Sequence, residues 1–294
     1  MIMTNQPRAI CMTKANLRRY AEVKSDHYQQ KNAAMQNSDP PVKSQIGYAA
    51  LPPVFDTGVH HRAKIGFVLL ATEQTIEDDM MRLCPPGVGM HFTRVANPDS
   101  ITVDSLLAQA PDLSRAAATL LPDGSLDVIC YACTSGSLVI GEDTVFAALS
   151  AGAPTAVPTS LITAVMRALQ AMQVSRIAVA TPYLDEVNRR EAEYMSARGF
   201  EICAMQGLQL EKDSDMVRVS PKFIHDFAAS IDRPDAEAVF ISCGALRSLE
   251  IVDALENKLG KPVVCSNQAM LWDCLRRAGI ADQFSGYGRL LRDY

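Results

Sequence analysis

The chain has 294 residues with a formal net charge of −5; 48% of residues are hydrophobic and 21% charged. That is the balance of a globular protein, long enough for one large or two small domains. The acidic balance speaks against nucleic acid as a partner, and no apolar run reaches the roughly 18 residues a membrane span needs.

Residues 1–45 are polar and turn-rich, as in Gln36-Asn37-Ser38-Asp39-Pro40-Pro41, and read as an N-terminal arm or tail with one short helix near Asn16–Val23. Ile46–Pro53 reads as an extended lead-in. No secretory h-region follows the basic N-terminal residues, so a cytoplasmic protein is expected, with its eight cysteines reduced.

From Lys64 onward, short apolar runs alternate with helical patterns. The pattern predicts a strand over Ile65–Leu70, helices over Thr75–Cys84 and Asp104–Leu121, strands over Asp127–Ala132 and Ala153–Val157, and a helix over Ser160–Met172. It then restarts. Strands are predicted at Arg176–Ala180, Phe200–Met205, Ala236–Ser242 and Pro262–Cys265. The helices between and after them are Asp185–Ala197, Pro221–Ser230, Leu246–Lys258 and Gln268–Ala278. Continuous apolar strands alternating with helices imply parallel sheets covered on both faces.

The two halves echo one another. The interval from Gly66 to Cys133 nearly equals that from Ala178 to Cys243, and each cysteine closes a strand, with a loop and then a helix after it. The expected fold is therefore α/β: two pseudo-symmetric parallel-sheet domains from an internal duplication, with the active site in the cleft between them. The boundaries read as 46–160 for the first domain and 161–266 for the second, with the C-terminal helix of 267–294 packing back onto the first.

Ligands of open parallel sheets bind beyond the carboxyl ends of the strands, which is where Cys133 and Cys243 fall. Backbone N–H groups at a following helix would favour a thiolate and hold a substrate carboxylate. Thr134, Ser135 and Gly136 supply hydroxyls and close backbone approach after Cys133; Gly244 and Ala245 form the plainer counterpart after Cys243. Cys130, Cys203, Cys265 and Cys274 read as buried hydrophobes. Cys130-x-x-Cys133 lacks the further ligands that zinc needs, and the five histidines form no catalytic set. With no glycine-rich nucleotide motif either, neither a metal nor a cofactor is expected.

Tyr131-Ala-Cys-Thr-Ser-Gly-Ser137, Thr181-Pro-Tyr183, Ile241-Ser-Cys-Gly-Ala-Leu-Arg247 and Ser266-Asn-Gln-Ala269 resemble the maleate isomerase branch of the Asp/Glu racemase superfamily. Ala71-Thr-Glu-Gln-Thr-Ile-Glu77 and Gly141-Glu142 are most similar to the ectoine-utilisation proteins of that branch. The resemblance covers roughly residues 46 to 280. It implies a cofactor-independent isomerase or racemase in which Cys133 is nucleophile or first base and Cys243 the opposed acid or base. It also implies that Tyr183 holds substrate. Glu73 stands where the isomerases carry asparagine, which shifts the implied substrate from a maleate-like dicarboxylate toward an ectoine-derived diaminobutyrate compound whose nitrogen meets Glu73. A helix-start glutamate is the plainer role for that residue. The alternatives are an arylmalonate-decarboxylase-like enzyme using Cys243, and a non-catalytic binding protein for a small molecule. The expected partner is a small carboxylate; a homo-oligomer is expected, with neither nucleic acid nor membrane bound.

Overall fold

The computed structural model describes residues 52–294, so the N-terminal arm, the Asn16–Val23 helix and most of the lead-in lie outside the described residues. Phe55–Tyr294 forms one compact unit built on two four-stranded sheets. In the first sheet β1 (Ala63–Leu70), β2 (Val88–Val95), β3 (Val128–Tyr131) and β4 (Val157–Ser160) lie in the order β2-β1-β3-β4. In the second, β5 (Arg176–Thr181), β6 (Glu201–Gly207), β7 (Ala238–Ile241) and β8 (Val263–Cys265) lie in the order β6-β5-β7-β8. Every pairing is parallel. Advancing each label of the first order by four gives the second, so the echo read in the sequence is a repeat of topology.

The central strands β1, β3, β5 and β7 are buried nearly throughout, as continuous Val, Ile, Ala and Phe runs demand when helices cover both faces. Helix Ser266–Arg277 packs on helix Leu161–Ala171 and reaches β3 and β4. Asp273 on that helix is fully buried; it accepts from Thr159 at 2.7 Å and pairs with Arg167 and Arg277. No helix among the described residues is long and apolar enough to cross a membrane.

Several details differ from the sequence expectation. Strand β2 was not expected; it is an edge strand, half-exposed along Met90–Thr93, and so lacks a continuous apolar run. Asp104–Leu121 is not one helix but Val103–Leu107, a 3-10 turn over Ala110–Asp112 and Leu113–Ala117, because Pro111 cannot continue a helix from the preceding turn. The strand placed at Ala153–Val157 begins only at Val157, after a turn at Pro154 and Thr155. Finally, no loop separates Cys133 from a helix: Thr134–Ile140 starts at once, with Cys133 as its N-cap. Cys243, by contrast, is followed by a loop and a 3-10 turn before helix Val252–Leu259.

Candidate active site

The C-terminal ends of the four central strands converge on one small cavity. Its wall is made of Leu70 and Glu73 after β1, the Ala132–Ser135 run after β3, Tyr183 after β5 and the Cys243–Ala245 run after β7. Ile101, Asp213 and Met216 complete it. All eight site residues expected from the sequence line this space: Glu73, Cys133, Thr134, Ser135, Tyr183, Cys243, Gly244 and Ala245. Equivalent strand ends of the two halves thus meet, which is where a parallel sheet presents unpaired backbone groups.

Cys133 caps its helix with sulfur. The Gly136 N–H donates to Sγ at 3.2 Å, and the Ser135 hydroxyl lies 3.7 Å away. A Cβ at Gly136 would stand 2.3 Å from the Tyr131 hydroxyl and 3.0 Å from the Cys133 sulfur, so only glycine lets the helix turn reach the thiol. Burial pushes the Cys133 thiol up to about 11, against the pull of the Gly136 amide. The Thr134 hydroxyl is paired with Ser266 across the two halves at 3.1 Å.

Cys243 has φ +94°, a left-handed conformation that a non-glycine residue rarely holds and that costs on the order of 1–3 kcal/mol. The thiol faces the Met216 sulfur at 4.0 Å, and the Tyr183 phenol and the Ala245 amide favour its ionised form. Burial drives its pKa well above the ordinary cysteine value, and the charge of Asp213 adds to that. Burial thus favours the neutral form of both thiols. The following N–H groups favour the thiolate, as expected from the sequence, but burial opposes them more strongly.

Glu73 is 6% exposed, and one of its oxygens accepts the N–H groups of Gln74, Thr75 and Ile76 at 2.9, 2.6 and 3.0 Å. It caps helix Ile76–Arg82, a task its neighbour Thr75 leaves to it by donating its hydroxyl to Ala245 O instead. Burial raises Glu73 to about 7 despite the three amides, with the Asp213 charge contributing. Asp213 is 3% exposed, accepts from the Thr72 hydroxyl, and has its pKa raised by burial. Sequence reasoning missed Asp213. It is carried in by a pairing of the loops after β2 and β6: Ile101 N–H donates to Glu211 O at 2.7 Å and Asp213 N–H to Asp99 O at 2.9 Å. These loops occupy matching places in the repeat, the one signal that could have found the residue.

Two buried carboxyls, two thiols and a phenol thus share a cavity whose wall, among the described residues, contains no Lys, Arg or His. Among the described residues no group of three or more His, Cys, Asp or Glu is arranged to hold a metal ion.

Residues 102–291, well over half of the chain, match the family model described as Amdase, arylmalonate decarboxylase. The chain belongs to this family. A relative within it, the arylmalonate decarboxylase of Bordetella bronchiseptica, is 36% identical over 135 residues, a match spanning 45% of this chain and 56% of the relative. The maleate isomerase of Nocardia farcinica is 27% identical over 241 residues, covering 78% of this chain and 95% of the isomerase. Solved structures agree. A cysteine-to-serine mutant of the Nocardia farcinica maleate cis-trans isomerase, bearing a covalently bound succinylcysteine intermediate, superposes with a TM-score of 0.74. That match has 25% identity and covers 79% of this chain and 99% of the isomerase. A liganded double mutant of arylmalonate decarboxylase gives 0.72 at 28% identity, over 79% of this chain and all of that one. The two parallel sheets found here are the architecture of the family's isomerase and decarboxylase structures.

Proposed function

We propose that this chain is a cysteine-dependent enzyme acting on a small carboxylate, and specifically an isomerase or racemase that uses Cys133 and Cys243 together. The observation that carries this reading is the meeting of two thiols, from equivalent strand ends of a duplicated fold, in one cavity. In a racemisation, one sulfur, as thiolate, takes the proton on the carbon next to the carboxylate. The electron pair moves into the carboxylate as an enolate, and the opposed thiol delivers its proton to the other face. In a cis–trans isomerisation, the thiolate adds to one alkene carbon and the pair moves toward the carboxylate. The remaining single bond rotates and the sulfur leaves with its original electrons. The succinylcysteine trapped in the Nocardia farcinica isomerase supports the second route. Amides beside Cys133 and Cys243 are the donors available for the enolate oxygens.

For the substrate we propose a compound bearing an ammonium or amide nitrogen, of which an ectoine-derived diaminobutyrate compound is the leading case. Its support is electrostatic: among the described residues Glu73 and Asp213 line the cavity and no cationic side chain does, so a second substrate carboxylate would meet repulsion. A maleate-like dicarboxylate ranks second, supported by the isomerase relatives. Decarboxylation through Cys243 is the other reading, favoured by the family model and the Bordetella bronchiseptica relative.

Incubation of the protein with each candidate in D₂O separates the three. Deuterium on the α-carbon with inversion marks a racemase, cis–trans conversion an isomerase, and released CO₂ a decarboxylase. Carbon dioxide release that persists undiminished in Cys133→Ala would replace the two-thiol reading with the decarboxylase one.

A further inference from the structure

The peptide that follows Gly244 is held at its carbonyl, which accepts the Asn267 side-chain amide at 2.9 Å. Its N–H, on Ala245, favours the ionised form of Cys243. In a planar trans peptide the C=O and N–H point in opposite directions, so whatever holds the carbonyl aims the N–H. Asn267 sits in the first turn of helix Ser266–Arg277, fully buried, and its Nδ2 also donates to Asp79 of helix Ile76–Arg82 at 2.8 Å. Its Oδ1 is buried without a hydrogen-bond partner among the described residues. A Cβ at Gly244 would stand 2.8 Å from the end of the Ile76 side chain and 3.2 Å from that oxygen, so a side chain at 244 would crowd the clamp. The next carbonyl, Ala245 O, is held by the Thr75 hydroxyl at 3.0 Å. Two carbonyls behind Cys243 are thereby tied down, one by the first-half helix directly and one through Asn267.

We propose that Asn267, oriented by Asp79, is a positioning residue for Cys243: it turns the Gly244–Ala245 peptide so that the Ala245 N–H stabilises the Cys243 thiolate. The Gly244 carbonyl only accepts and so selects the NH₂ end of Asn267. Ionised Asp79 reinforces that choice with a charge, because a carboxylate also only accepts. Protonated Asp79 gains an O–H donor and loses its charge, so it no longer reinforces the NH₂ end and the clamp on Gly244 loosens. Burial holds Asp79 up to about 6; the charges facing it are Asp78 and Arg82 on its own helix and Glu250 from the second half, with Arg247 lining the same surface pocket. The orientation is therefore sensitive to pH in the range where Asp79 titrates.

The proposal rests on Cys243 being the reactive thiol of the reading above, but its test needs no turnover. Iodoacetamide is reacted with the full chain, and the alkylation rates of Cys133 and Cys243 are followed separately by peptide mass spectrometry between pH 5 and 9. Asn267→Ala should slow Cys243 on the order of tenfold at pH 8, the scale of one charge-assisted hydrogen bond, and leave Cys133 within twofold. In the wild-type chain the log rate at Cys243 should fall with a slope steeper than one below about pH 6, and Asp79→Asn should restore a slope of one. Should Asn267→Ala not fold, the slope comparison alone decides. Equal slowing of both cysteines, or unchanged slopes in Asp79→Asn, overturns the proposal whether or not the enzyme proves to be an isomerase.

Discussion

Ser242 donates its hydroxyl to Glu191 at 2.7 Å, and the other oxygen of this fully buried carboxyl has no partner among the described residues. The pair lies directly behind Cys243, in a place where a charge is expensive. Burial raises Glu191 from 4.5 to about 7. A carboxyl whose folded pKa exceeds its unfolded one binds more protons when folded. Its contribution to stability is thus intact below about pH 4.5 and is lost as pH rises through about 7. The loss amounts to at most about 3–4 kcal/mol at roughly 1.4 kcal/mol per pKa unit. Glu191→Gln cannot ionise and keeps an acceptor for Ser242. Thermal melts at pH 5 and pH 8 should show a smaller drop in Tm for the variant than for the wild type. Parallel drops would mean that Glu191 is not the buried acid responsible.

The two thiols invite a direct comparison. Cys133→Ala and Cys243→Ala should each lower kcat by at least 10²–10⁴, the range for losing one general acid or base, with the far-UV circular dichroism unchanged. Near wild-type turnover in either variant would defeat the two-thiol mechanism, and loss confined to Cys243→Ala would point to decarboxylation.

Glu73 combines a cap with a charge, and two substitutions separate them. Glu73→Gln retains an oxygen for the Gln74, Thr75 and Ile76 amides, so stability near pH 6 should change little. KM for a substrate with an ammonium group should rise by about tenfold to a hundredfold, the worth of a charge-assisted hydrogen bond, while a ligand lacking that group binds as before. Glu73→Ala also removes the cap and should cost about 1–2 kcal/mol in urea unfolding. If Glu73→Gln weakens both ligands equally, the residue is a cap and nothing more.

Most of the site was legible because it sits where topology must put it. Cys133, Tyr183 and Cys243 follow buried strands whose apolar runs are unmistakable, and a repeat places those strand ends face to face. What escaped is what tertiary pairing creates. Asp213 lies in Glu211-Lys-Asp-Ser-Asp215, a run that reads as solvated loop, and only the bridge of Ser100 with Lys212 turns it inward. Strand β2 escaped because an edge strand with one half-exposed flank carries no continuous hydrophobic signal. The break at Pro111 was visible in the sequence, yet the apolar period on either side of it outweighed the proline.

Asp213 gives the sharpest electrostatic test of the cavity. Its charge raises the pKa of both cysteines, ranking second only to burial at Cys243 and contributing less at Cys133. Asp213→Asn keeps an oxygen for the Thr72 hydroxyl and removes the charge. With the negative charge gone, each thiolate is easier to form, so both thiol pKa values should fall. Iodoacetamide at pH 8 should then alkylate both cysteines several-fold faster than in the wild type, with the larger gain at Cys243. The same variant should lose affinity for a cationic ligand, since the charge that opposes the thiolate is the one that would attract the ligand's nitrogen. A cationic substrate group resting between Asp213 and Glu73 would cancel their field and bring a thiolate within reach only when the cavity is filled. Slower or unchanged alkylation in Asp213→Asn would show that its charge does not reach the sulfurs, and this coupling of binding to thiol activation would have to be abandoned.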